Sequence, residues 1–267
     1  MIRTIATNAF PVLLAVMFAA LPIIGCGARV SVISKGDGDK GLVVVLPGID
    51  GQSGRNEDAC RAIGSGAAGM SVELFDWTMP LCFWTNQRDE SRNRRMASEL
   101  ADRIAAYRSE HPDGSVFLVG HSGGTAIAVW AAEALPSGAQ VDGIVLLASS
   151  LSPNYDLSKA IKRTREGVVS FRSERDSVLL GAGTTLFGTM DGKHTEAAGK
   201  VGFSVPDSEQ AKGAYGGFSE IRWNPSMSGT GHDGGHFGCL ASEFVASHVA
   251  PLIAKRKWDR NIIASSR

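Results

Sequence analysis

The sequence has no excess charge of either sign, since 27 Lys and Arg residues balance 27 Asp and Glu residues. It therefore lacks the basic excess that attracts nucleic acid or an anionic surface, and it has no acidic tail. We expect no nucleic-acid partner, and the charge balance does not indicate a substrate. Hydrophobic residues make up 43% of the 267 positions, which is enough for a globular protein to bury a full core.

Cysteine is also scarce, with four residues in the whole chain. Cys60, Cys82 and Cys239 have a spacing that matches no zinc site, and none of them lies in a glycine-rich turn that would make it a catalytic nucleophile. We therefore predict neither a metal nor a cofactor. An oxidising compartment would allow one pair of these cysteines to form a disulfide, and the sequence leaves open which pair.

No apolar run is long enough to be a convincing membrane span, but the N-terminus contains a shorter one. A single arginine precedes the apolar segment Ala9 to Ile24, which two prolines interrupt. The segment runs into Ile23-Ile24-Gly25-Cys26, which resembles the bacterial lipobox. The resemblance implies that residues 1–25 are a lipoprotein signal peptide, and that the new N-terminal Cys26 receives a diacylglyceryl group. An ordinary signal peptide and an uncleaved anchor are the alternatives.

All three interpretations predict export. The lipobox further predicts a bacterial lipoprotein anchored on the periplasmic or cell-surface face of a membrane, with residues 26–40 as a short tether to the folded body.

From residue 41 onward, short apolar segments alternate with helical patterns. Strands are predicted at 42–46, 71–77, 116–119, 143–148, 168–172 and 219–223, and helices at 57–68, 91–108, 125–135 and 237–253. This alternation predicts an α/β fold with a mostly parallel central sheet and helices on both faces. No repeat or low-complexity linker interrupts it, which favours a single domain over 41–267 without a large lid domain. The nine glycines of residues 181–217 predict loops with one short helix.

One serine lies where a predicted strand meets a predicted helix. Gly120-His121-Ser122-Gly123-Gly124 follows the apolar residues 116–119 and precedes an alanine-rich segment. A G-x-S-x-G in this setting predicts a strained turn that exposes the Ser122 hydroxyl at the helix N-terminus. The alternative is a glycine-rich turn whose serine only caps the helix.

With this turn, the chain from about residue 41 to its C-terminus resembles the α/β-hydrolase superfamily. A second motif, Pro47-Gly48-Ile49-Asp50-Gly51, follows an earlier strand and looks like the loop that supplies an oxyanion-hole N–H. The resemblance implies that Ile49 supplies one such N–H, that Gly123 supplies the other, and that Ser122 is the nucleophile. A simple tight turn is the alternative for the second motif.

The superfamily order of serine, then acid, then histidine restricts the remaining catalytic residues. His236 is the favoured base because it lies on a loop just before the last predicted helix, and His232 is the alternative. Asp176 is the favoured acid because it follows the strand at 168–172. Glu174 is the second choice and Asp191 the third. The separation of Asp176 from the histidine loop is longer than is usual in the superfamily.

The resemblance thus implies a serine hydrolase that cleaves an ester, thioester or amide of a small-molecule acyl substrate through an acyl-serine intermediate. A hydrolase-fold binding lipoprotein without turnover and an acyltransferase with the same triad are the alternatives. Trp77, Phe83 and Trp84 follow a predicted strand at the edge where open α/β sheets bind ligands. They are expected to form an apolar rim there or to pack in the core.

Overall fold

The structure is a computed structural model that describes residues 27–177 and 184–258. The predicted signal peptide and Cys26 therefore lie outside the described residues. The described strands form one seven-stranded sheet in the order β1-β3-β2-β4-β5-β6-β7, in which all neighbours are parallel except β1 and β3. The strands are β1 (Arg29–Ser34), β2 (Gly41–Leu46), β3 (Ser71–Asp76), β4 (Ser115–His121), β5 (Val141–Leu147), β6 (Thr164–Arg172) and β7 (Phe218–Arg222).

Helices cover both faces of this sheet. They are α1 (Gly54–Gly66), α2 (Phe83–Arg88), α3 (Glu90–Glu110), α4 (Gly123–Ala134), α5 (Ser158–Ile161), α6 (Thr184–Phe187), α7 (Ala198–Val201), α8 (Glu209–Ala214), α9 (Ser242–Phe244) and α10 (Ala250–Lys255). One hydrophobic core lies between the sheet and α3, α4 and α5, and a second lies between the sheet and α1, α9 and α10. Among the described residues, no helix is both long enough and apolar enough to cross a bilayer.

The central strands show why the chain adopts this architecture. Every residue of β2 is buried, with Leu42, Val44 and Leu46 in one core and Val43 and Val45 in the other. Alternate side chains of a strand point to opposite faces, so a continuous apolar run requires cover on both sides. The predicted single-domain α/β fold is confirmed.

The edges of the fold differ from the predictions. The expected tether at 26–40 contains β1, which pairs antiparallel with β3 through Arg29 opposite Asp76. The closing helix expected at 237–253 is divided into a 3-10 helix (Gly238–Leu240), α9, a π-helix (Val245–Val249) and α10. Pro251 explains part of this division, because proline has no N–H with which to continue the α-helical hydrogen bonds.

The glycine-rich segment was expected to hold one short helix, but its described part contains three short α-helices, α6, α7 and α8, and a 3-10 helix (Tyr215–Gly217).

Candidate active site

Ser122 lies in a sharp turn between the end of β4 and the start of α4. Its backbone has φ 52° and ψ −122°, a positive-φ conformation that costs a non-glycine residue about 1–3 kcal/mol. The Ser122 N–H donates to Leu147 O at 2.9 Å, and Ser122 O accepts from the Thr125 hydroxyl at 2.6 Å. These hydrogen bonds hold the strained turn at the carboxyl edge of the sheet.

The glycines of the motif are required by close packing. A Cβ built on Gly120 would lie 2.7 Å from both Gly124 O and Thr125 Cα. One built on Gly123 would lie 2.8 Å from Ile49 Cγ2, 3.2 Å from a ring carbon of Trp77 and 3.4 Å from Met190 Sδ. A side chain at Gly120 would therefore collide with backbone, and one at Gly123 would require the Ile49 side chain to shift.

The loop after β2 reaches the elbow from the other side. Gly51 N–H donates to Gly48 O at 3.0 Å, which closes a tight turn around Ile49. The Trp77 indole N–H donates to Pro47 O at 2.9 Å, and the Asn86 amide donates to Ile49 O at 3.0 Å. In the part of the chain that the structure describes, the N–H groups of Ile49 and Gly123 donate to no hydrogen bond, so both can serve a ligand.

His236 and Asp176 are joined by a hydrogen bond of 2.6 Å between Nδ1 and Oδ2. When Nδ1 carries the proton it donates to the carboxylate, which leaves the imidazole Nε2 able to accept a proton. The Ser173 hydroxyl donates to Gly234 O at 2.6 Å, which fastens the acid turn to the histidine loop. Both side chains are largely buried.

His121 places this pair beside the elbow. Its Nε2–H donates to His236 O at 3.1 Å, and the two rings lie 4.9 Å apart. The Cys239 thiol donates to the same carbonyl at 3.3 Å. Burial lowers the pKa of His121 to about 3, so His121 is neutral and holds the loop as a hydrogen-bond donor. Within the described residues no direct hydrogen bond joins the Ser122 hydroxyl to His236, a separation common in ligand-free sites.

The alternative base and acids have other partners. His232 is buried, with its ring 4.6 Å from that of Phe244 and its Nδ1 accepting from Gly234 N–H at 3.2 Å. Glu174 pairs at the surface with Arg222. Asp191 accepts hydrogen bonds from the backbone and hydroxyl of Ser152. The structure thus brings Asp176, and neither Glu174 nor Asp191, into hydrogen-bonding contact with His236.

The buried histidines predict a loss of stability at mildly acidic pH. Burial lowers the pKa of His232 to about 4 and that of His121 to about 3, against about 6.5 in the unfolded chain. Above pH 6.5 both states are neutral. Below it the unfolded state binds protons that the folded state does not, so the free energy of unfolding falls. We expect denaturant unfolding curves to show this fall between pH 7.5 and 5.

A variant of His232 tests whether this residue contributes to the fall in stability. In His232→Asn the side-chain oxygen can still accept from Gly234 N–H, but the site no longer titrates, so the pH slope is expected to become smaller. Equal slopes for the variant and the wild type would contradict the role given to His232.

The described cysteines form no disulfide. Cys60, Cys82 and Cys239 are all free thiols, and Cys60 and Cys239 are buried. Burial raises the pKa of Cys60 to about 12 and also raises that of Cys239, so neither is a reactive thiolate near neutral pH.

Several residues of the site were not predicted from the sequence. Asn86 braces Ile49 and Met190 packs near Gly123, and neither carries a motif. The position of His121 inside the G-x-S-x-G motif was the one available signal for its contact with the histidine loop. Of the three predicted rim aromatics, Trp77 is fully buried beneath the loop after β2, whereas Phe83 and Trp84 are exposed.

The chain is similar in structure to solved hydrolases, and one of these matches shares its fold. Lipase B from Aspergillus fumigatus aligns with 98% of this chain and 67% of its own length, with a TM-score of 0.52 and 15% sequence identity. A putative α/β-hydrolase from Agrobacterium tumefaciens aligns with 86% of this chain and 91% of its own, with a TM-score of 0.49 and 11% identity. No protein-family model and no curated protein matches the sequence. With its sheet order and its elbow, the chain has the α/β-hydrolase fold.

Proposed function

We propose that the protein is an exported serine hydrolase that cleaves an ester or thioester through an acyl-serine intermediate. The observation that carries this proposal is the hydrogen-bonded pair of His236 and Asp176, held against a strained turn that presents Ser122. An amide is a harder substrate for the same chemistry because its amine is a poorer leaving group.

Each group has a chemical role in this proposal. Ser122 Oγ attacks the acyl carbon while its proton passes to His236 Nε2, and Asp176 stabilises the resulting imidazolium. The C–O or C–S bond then breaks, and His236 returns the proton to the leaving alcohol or thiol. Water repeats the sequence on the acyl-serine, which releases the acid and the free serine.

The oxyanion that forms during attack needs hydrogen-bond donors that are already in place. The N–H groups of Ile49 and Gly123 are proposed for this task. The hydrogen bonds from Trp77 and Asn86 fix the loop of Ile49, and the first turn of α4 fixes Gly123. Loss of one such donor typically lowers kcat by about 100- to 1,000-fold.

Export and anchoring complete the proposal. The lipobox-like segment supports cleavage before Cys26 and attachment of a diacylglyceryl group to its thiol. Mass spectrometry of the N-terminal peptide tests this step, with Cys26→Ser as the variant that cannot be lipidated.

A fluorophosphonate probe tests the nucleophile. We expect the wild type to be labelled on Ser122 and Ser122→Ala to show no labelling, because the probe forms a bond only with an activated serine hydroxyl. Ser98→Ala, which changes an exposed serine on α3, is the matched control and should be labelled like the wild type. A folded wild-type protein that remains unlabelled would favour the binding lipoprotein, and acyl transfer to an added alcohol in preference to water would favour the acyltransferase.

A further inference from the structure

Exposed apolar side chains cluster on the segment that follows β3 and in α6. The apolar rim, as we name it, consists of two groups of residues that project into solvent: Met79, Leu81, Phe83 and Trp84 after β3, and Leu186 and Phe187 in α6. The Trp84 and Phe187 rings pack edge to face, with centroids 4.7 Å apart. Residues 77–87 and 177–190 contain no Asp, Glu, Lys or Arg, so both parts of the rim lie in charge-free stretches of the sequence.

Leu81 occupies an unfavourable turn position. Cys82 N–H donates to Met79 O at 3.2 Å, which closes a turn with Pro80 and Leu81 at its centre. Leu81 has φ 61°, where glycine or asparagine normally stands. Its side chain is nevertheless 89% exposed. Backbone strain at Leu81 costs free energy, and its exposed side chain contributes no burial to the isolated fold. We therefore infer that Leu81 contacts an apolar surface outside the protein.

Buried contacts connect the segments that carry the rim to the proposed catalytic groups. Asn86, which follows Trp84 in α2, binds both Met79 and the oxyanion loop at Ile49 O. Gln87 donates to Gly188 O at 2.9 Å, which ties α2 to the segment after α6. That segment leads to Met190, whose sulfur lies close to Gly123 of the elbow.

The first described strand begins at the same edge. Because β1 is antiparallel to β3, its first residue, Arg29, lies opposite Asp76 at the carboxyl end of β3. The Arg29 guanidinium contacts the Asp76 carboxylate at 2.5 Å. Three residue steps of about 3.8 Å each separate Arg29 from the predicted anchor at Cys26 in the sequence, so the tether is at most about 11 Å of chain. The carboxyl edge of the parallel strands also carries Ser122.

We propose that this edge faces the bilayer that holds the Cys26 anchor, that the apolar rim enters its acyl-chain region, and that the substrate is an acyl lipid of that membrane. The inference rests on the proposed function for both the serine chemistry and the anchor. A short anchor beside the rim brings its apolar side chains to the membrane surface, where burial of such groups is favourable. The scissile ester would then enter from the lipid side.

The test uses the full-length lipidated protein in vesicles of phosphatidylethanolamine and phosphatidylglycerol. Leu81→Asn and Trp84→Ser remove apolar groups of the rim, and asparagine accepts the φ of Leu81. We expect the ratio of phospholipid hydrolysis to hydrolysis of a short soluble ester to fall by about 10-fold or more in each variant. Brominated acyl chains should quench wild-type tryptophan fluorescence, and Trp84→Ser should remove most of that quenching.

Two control variants carry similar substitutions at exposed positions outside the apolar rim. Ala68→Asn introduces asparagine at φ 52° before β3, at the opposite edge of the sheet, and Val32→Thr makes an exposed residue of β1 polar. Neither should alter the hydrolysis ratio. Rim variants that behave like these controls, an absence of Trp84 quenching, or an unmodified Cys26 would each overturn the inference. Failure of fluorophosphonate labelling in the wild type would instead refute the serine chemistry, while quenching could still show that the rim enters the membrane.

Discussion

Asp176→Asn is expected to lower kcat for hydrolysis of a short-chain ester by about 1,000- to 10,000-fold. The carboxylate accepts a hydrogen bond of 2.6 Å from His236 Nδ1–H, and in the proposed mechanism it stabilises the imidazolium that forms when Ser122 is deprotonated. A neutral amide supplies neither the charge nor an unambiguous acceptor, so His236 can adopt the tautomer that has its proton on Nε2. Steady-state kinetics on the purified variant measure this effect.

Glu174→Gln is the matched control for this prediction. Glu174 lies two residues away in the same turn, but its carboxylate pairs with Arg172 and Arg222 at the surface. Exposed ion pairs contribute about 0–1 kcal/mol, so we expect kcat to change less than about twofold. Wild-type activity in Asp176→Asn would refute the proposed acid, as would a loss of activity confined to Glu174→Gln.

Thermal unfolding of Asp176→Asn distinguishes a loss of catalysis from a loss of folding stability. Because Asp176 and asparagine have nearly the same volume, the melting temperature of Asp176→Asn should remain close to that of the wild type. A large fall in both activity and melting temperature would show that Asp176 holds the turn and would leave its catalytic role without support.

The centre of the fold was predictable because its sequence signals are local. Continuous apolar runs such as 42–46 require cover on both sheet faces, and the glycine pattern around Ser122 requires a strained strand-to-helix turn. Both features depend on neighbouring residues along the chain. The sequence therefore predicted the parallel sheet, the elbow turn and the loop that faces it.

The less predictable features depend on contacts between distant residues. Strand β1 is short, largely exposed and located in the expected tether, and its pairing with β3 joins Arg29 to a residue 47 positions away. The contact of His121 with His236 spans 115 positions. Asn86 reaches Ile49 only after α2 has packed against the loop that follows β2. No periodicity or residue spacing in the sequence indicates these long-range contacts.

The choice among the candidate acids also depended on contacts between distant residues. Asp176, Glu174 and Asp191 are all carboxylates in or near turns, and the sequence could order them only by resemblance. The Ser173 hydroxyl donates a hydrogen bond to the histidine loop, and this bond fixes which side of the turn at residues 173–176 faces His236. That orientation is a property of the folded turn, and it places Asp176 inward and Glu174 at the surface.

Gly124→Ala is expected to reduce activity and stability together. A Cβ at this position would lie 2.5 Å from Pro47 O and closer still to Leu46 O, and both atoms are backbone that a rotamer change cannot move. Relief requires α4 to shift away from the end of β2, at a cost of about 3 kcal/mol or more. We expect a lower free energy of unfolding and about 100-fold slower fluorophosphonate labelling.

Gly54→Ala is the matched control, because Gly54 also lies in the first turn of a helix but a Cβ there meets no atom within 4 Å. Removing a glycine from a helix should stabilise the protein by about 0.5–1 kcal/mol without changing the labelling rate. Wild-type labelling and stability in Gly124→Ala would contradict the close packing. Leu46 and Pro47 lead directly into the turn of Ile49, so a displaced α4 moves the proposed nucleophile relative to the proposed oxyanion donor at Ile49. Gly124→Ala should therefore impair both folding and chemistry, whereas Asp176→Asn should impair chemistry alone.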